Sequence, residues 1–140
     1  MTPTEAVLRR WRAAGVQVNP GASEAELAQL EAFIGVLLPP DVREYFVLMN
    51  GMPYGATTDE GLLGFWPIER IVTEPQLNAG ADEFGAFRDI AFADGYLDAW
   101  FLWLRVRGSR ISIFIEHTGV ELPSLEEFFA RYHADPETIL

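Results

Sequence analysis

Apolar residues recur along this chain with helical spacing near both ends and with strand spacing between them. Val7, Leu8 and Trp11 fall on one side of a helix that runs to about Ala14. Thr2-Pro3-Thr4-Glu5 opens it as a capping box with a proline in the first turn. Residues 23–51, SEAELAQLEAFIGVLLPPDVREYFVLMNG, predict two further helices. Ser23 and Glu26 form the first start signal, and Leu27, Leu30 and Ile34 follow on one face. Gly35 supplies a left-handed stop, and Pro39-Pro40 blocks continuation while suiting the next first turn. Tyr45, Phe46 and Met49 are the apolar side of that next helix, which Asn50-Gly51 closes, since both tolerate positive φ.

The pattern then changes. Residues 52–61 are rich in glycine and read as a flexible connection. Residues 62–66 are a short apolar strand, 68–77 a turn with a short helix broken at Pro75, and 78–86 an exposed loop. Residues 87–93 read as a strand interrupted by Arg88-Asp89. Residues 99–106, AWFLWLRV, suit a central strand covered on both faces. Residues 107–110 make a hairpin loop, and 111–116 alternate with a period of two. Ser124 with Glu127 starts a last helix bearing Leu125, Phe128, Phe129 and Tyr132, with a frayed tail from Ala134. Helices and strands are grouped rather than alternating. This predicts an α+β fold, residues 1–140 as one domain, with a mainly antiparallel sheet packed by N-terminal helices and a C-terminal helix. The oligomeric state stays open, because an all-apolar strand fits an interior or a dimer edge.

The order acidic amphipathic helix, Gly, Leu-Pro, aromatic-rich helix, Asn-Gly resembles the signature of the SUKH superfamily, the Smi/Knr-type proteins. Leu63-Gly64-Phe65-Trp66-Pro67-Ile68, Ile90-Ala91-Phe92-Ala93-Asp94-Gly95 and Leu122-Pro123-Ser124-Leu125-Glu126-Glu127-Phe128-Phe129 extend the resemblance over about residues 22–133. Pro39, Asn50 and Gly51 match its most recognisable positions, with structural roles in capping and turning. The resemblance implies a bacterial immunity protein that neutralises a polymorphic or contact-dependent toxin by masking it. It also leaves a regulatory scaffold, the role linked to eukaryotic members that carry disordered arms.

Charge narrows the partner. The net charge is −11, from 21 acids against 10 basic residues, all of them arginine. Such a field repels phosphate backbones and favours a basic protein, so nucleic acid is not the expected direct partner. Taken with the family resemblance, which implies a toxin, it points to a basic nuclease as the toxin to expect. No apolar run reaches 18 residues, the N-terminal segment does not read as a secretory signal, and there is no cysteine. The expectation is a cytoplasmic protein without membrane contact.

Catalytic chemistry finds no support in the residues. His117 and His133 lack metal-ligand spacing, and Asp94 to Asp98 is not an EF-hand, since Arg105 stands where its bidentate glutamate belongs. No P-loop, dinucleotide or nucleophile-elbow motif occurs. The expectation is no enzyme, no catalytic residue, no metal and no cofactor. Residues 59–98 carry nine acids against Arg70 and Arg88 and contain most of the loops. Together with Tyr54 in the preceding loop, they supply the candidate partner-binding residues Tyr54, Asp59, Glu60, Asp82, Glu83, Asp94, Tyr96 and Asp98. Trp66 and Trp100 read as core, while for Tyr54 and Tyr96 core and contact stand equal.

Overall fold

The computed structural model describes residues 1–59, 63–74, 85–96 and 98–139. Helices α1 (Pro3–Ala13), α2 (Glu24–Ile34) and α3 (Pro40–Leu48) precede strand β1 (Leu63–Phe65) and the short helix α4 (Ile68–Thr73). Strands β2 (Arg88–Gly95), β3 (Trp100–Arg107), β4 (Arg110–Ile115) and β5 (Val120–Leu122) follow, then α5 (Leu125–Ala134) and a 3-10 turn (Pro136–Thr138). The strands form one sheet in the order β1-β2-β3-β4-β5, every neighbour antiparallel. The α+β architecture predicted above is the one observed, with β3 at its centre and not at an edge.

Register sorts the side chains onto two faces, because directly paired residues point the same way. Phe65, Ala93, Leu102 and Ile115 are linked by successive pairings and share the inner face. Phe65 packs there against Phe128 and Phe129 of α5, with ring centroids 6.4 and 5.9 Å away. Trp11 of α1 and Tyr45 of α3 stack on the same aromatic cluster, and the Trp11 indole donates to the Tyr132 hydroxyl at 3.2 Å. These rings are buried, so the helical faces read from spacing alone are the ones that build the core. The outer face carries Gly64, Asp94 and Phe101 in one row, Ala91, Trp103 and Phe114 in another, and Asp89, Arg105 and Ser112 in a third.

Several local expectations change. Ser23 and Glu26 form the full reciprocal capping box, whereas α1 and α5 keep only the hydroxyl half, from Thr2 and Ser124. Residues 52–58 are tied along the outer edge of β1. Met52 N–H donates to Phe65 O, Thr58 N–H to Leu63 O, and Leu63 N–H to the Thr58 hydroxyl. They cover an edge that would otherwise be open. The tail is not frayed, because Ile139 is buried after the 3-10 turn. Arg88-Asp89 does not interrupt a strand; both belong to β2, and Asp89 is buried against an arginine of β3. Sequence offered four strands at most, and the missing one is β5, three residues long with one apolar residue buried.

Candidate functional site

The Asn50-Gly51 pair sets where α4 begins. Asn50 does not use positive φ; it is a buried bridge. Its Oδ1 accepts from the Ile68 amide at 2.8 Å, which caps α4 from another segment, and its Nδ2 donates to Glu26 Oε2 at 2.9 Å. The Ser23 amide and hydroxyl together with Asn50 hold the Glu26 carboxyl below the usual carboxylate range. Gly51 has φ +66°, and a β-carbon there would lie 2.3 Å from the Trp66 carbonyl carbon. Glycine is therefore required twice over, by conformation and by the close approach of the chain entering α4.

With α4 so placed, Arg70 reaches across to the end of β2. Its guanidinium lies over the Trp66 ring at 4.1 Å and the Tyr54 ring at 4.9 Å. Its nitrogens lie 3.4 Å from Glu74, 3.5 Å from Asp98 and 3.8 Å from Asp94. Asp94 is more tightly occupied elsewhere: Oδ1 accepts from the Trp66 indole at 2.7 Å and Oδ2 from the Asp98 amide at 3.0 Å. The turn between β2 and β3 puts Tyr96 and Asp98 at φ 52° and 66°, a left-handed conformation that non-glycine residues seldom adopt. It is this turn that brings the Asp98 carboxylate beside Arg70.

Around this arginine opens a cleft of about 260 Å³, with Met52, Tyr54, Gly64, Arg70, Asp94 and Asp98 among the residues that line it. Gly64 keeps it open, since a β-carbon there would sit 3.2 Å from Ala56 O and 3.3 Å from Asp94 Oδ1. A shallower groove of about 220 Å³ lies on the other side of Tyr54, against Pro67, Glu69, Thr73 and Glu74. Three carboxylates around one guanidinium leave the site with two net negative charges.

A second arginine cluster stands on the same sheet face. Arg105 makes a forked pair with Asp89, both bonds 2.8 Å, and is sandwiched between Phe87 and Phe114, each ring 4.0 Å away. Glu121 binds Arg105 at 3.2 Å and also accepts from Arg107 and Ser112. Arg107 holds the Glu121 carboxyl down to about 2, with Ser112 and Arg105 adding to the effect against partial burial.

The sequence-derived candidates separate in space. Tyr54, Asp94 and Asp98 meet at the cleft. Tyr54 is 83% exposed, so its ring is surface and not core. Asp94 requires correction as a surface contact: it is buried, because its oxygens serve the Trp66 indole and the turn amide. Tyr96 is half-exposed beside Trp100, and Asp59 is paired with Arg10 at 3.2 Å. Glu60, Asp82 and Glu83 lie outside the described residues. Trp66 and Trp100 are buried, as read. Arg70 was passed over, although it is one of two basic residues in an acidic stretch, and that isolation was the available signal.

Among the described residues, no group of three or more metal-ligating side chains is placed to hold an ion, and no helix is long and apolar enough to cross a membrane. His117 stacks on Trp100 at 5.1 Å. Fold and site together define a small α+β domain whose cleft combines carboxylates with an exposed aromatic ring. The chain belongs to the SMI1 / KNR4 family (SUKH-1), which it matches over residues 21–131, from just before α2 into α5. A comparison with curated proteins finds no match.

Proposed function

We propose that this chain is a non-enzymatic, cytoplasmic immunity protein that binds and masks a basic toxin domain, a nuclease of a polymorphic or contact-dependent system being the expected target. The observation that carries this reading is the acidic, aromatic cleft around Arg70 in a family member of net charge −11. Carboxylates next to an exposed tyrosine suit a basic protein surface, and the chain's overall field would steer such a partner into contact. The alternative that the resemblance to Smi/Knr-type proteins leaves is a regulatory scaffold that binds other proteins.

The test is co-purification with the C-terminal domain encoded beside this gene, repeated as salt is raised. The immunity reading expects a tight complex that abolishes toxicity, with an association rate that falls about tenfold or more as salt screens the charges. No complex at low salt and no protection would remove the immunity reading and leave the scaffold.

A further inference from the structure

We propose that the cleft beside Tyr54 receives an arginine side chain of the partner protein, its guanidinium stacked on the Tyr54 ring and bonded to Asp98. This deepens the immunity reading and rests on it for the identity of the partner.

Charge comes first. Asp94 and Asp98 line the cleft against the single cation Arg70, and Glu74 adds a third carboxylate beside that arginine in the adjoining groove, so the surroundings attract a cation. The available acceptor is on Asp98: its side chain is 53% exposed, its Oδ1 lies 3.5 Å from Arg70, and its Oδ2 takes no bond from a described residue. Asp94 is the floor of this wall, with both oxygens engaged. Tyr54 is the most exposed large hydrophobic side chain among the described residues, and Arg70 lies 4.9 Å from its ring centroid. An exposed ring over a desolvated floor is a good anchor for a partner side chain.

Size and shape then select the occupant. At about 260 Å³ the cleft is smaller than the roughly 300 Å³ at which drug-sized ligand sites begin, and suits one long side chain. Arg70 shows what these walls accept, a guanidinium lying against aromatic rings with carboxylates at its edge. A planar fork stacks and bonds at the same time, which an ammonium cannot do, so arginine is preferred to lysine.

The test is an amide-resolved NMR titration of the full chain with tetra-arginine amide and, separately, tetra-lysine amide. Saturable shifts are expected at residues 52–57, 64–65, 70 and 98, with tetra-arginine the tighter ligand. Tyr54→Ala and Asp98→Asn, both on the surface, are expected to keep the folded spectrum and each weaken binding about two- to fivefold. Shifts spread evenly over the acidic surface and indifferent to both variants would overturn the proposal. The neighbouring toxin domain provides the second arm. If it binds wild type and both variants equally, the cleft proposal fails and the immunity reading stands. If it does not bind while tetra-arginine fills the cleft, the immunity reading fails and the arginine site stands.

Discussion

Arg105 and Arg70 are held by the same kinds of group, carboxylates and aromatic rings, and their side chains are almost equally buried, 12% and 16% exposed. Burial therefore does not distinguish them. Geometry does. Arg105 makes two 2.8 Å bonds to an aspartate that is itself 6% exposed and gives a third to Glu121 at 3.2 Å, so the pair is satisfied within the fold. Arg70 touches three carboxylates at 3.4 to 3.8 Å, and one of them, Asp98, is half in solvent. A forked, desolvated pair fixes strand register; a loose, over-supplied one leaves charge for another molecule. The comparison assigns Arg105 to stability and Arg70 to the proposed contact.

The largest expected effect breaks the comparison directly. Arg105→Ala leaves Asp89 buried without its partner and is expected to cost about 3–5 kcal/mol in denaturant unfolding. Arg70→Ala is expected to cost only about 1–2 kcal/mol, from weak ion pairs and ring contacts. Equal losses would remove the distinction. Between them stands Asn50→Ala, expected to cost about 2–3 kcal/mol, because it strips the Ile68 amide and Glu26 of a buried partner. The same substitution lets α4 shift, so the ring of Tyr54 should lose its contact with Arg70, which aromatic NMR shifts would register.

Acid sharpens the contrast from the Arg105 side. The folded Glu121 pKa of about 2 lies below the ordinary 4.5, so its stabilisation is present above pH 4.5 and is lost as pH falls towards 2. Glu121→Gln is expected to flatten that acid limb of an unfolding profile; an unchanged limb would deny the carboxylate its role. The smallest stability effect belongs to Asp98→Asn, within about 0.5 kcal/mol, since the group is on the surface. A larger loss in thermal unfolding would make Asp98 structural and blur the two clusters into one kind.

Much of this fold is legible in the sequence because its signals are local. The Ser23-Glu26 box, Gly35, the Pro39-Pro40 stop and the period of residues 111–116 each act within a few positions. The α1, α2 and α5 faces follow from spacing alone. What stayed hidden depends on pairings between distant residues. Asp89 looks like a break in a strand until register sets it opposite Arg105, and Asn50 looks like a turn residue until its amide meets Glu26 and Ile68. Asp94 was read as surface for the same reason, because the Trp66 indole that covers it lies far away in sequence. Asp98 was legible as an exposed loop residue and Tyr54 as a loop residue balanced between core and contact, but their common partner Arg70 was not legible, since a lone arginine among acids reads as solvated until a helix carries it to the cleft.

The most direct measurement is the amide hydrogen-exchange footprint of the chain in complex with the proposed partner, the C-terminal domain of the protein encoded beside it. The account predicts added protection at residues 52–57, 64–65 and 68–73, around Arg70, and none at the hairpin that carries Arg105 and Arg110. Protection centred on that hairpin, with the Tyr54 cleft unchanged, would contradict it.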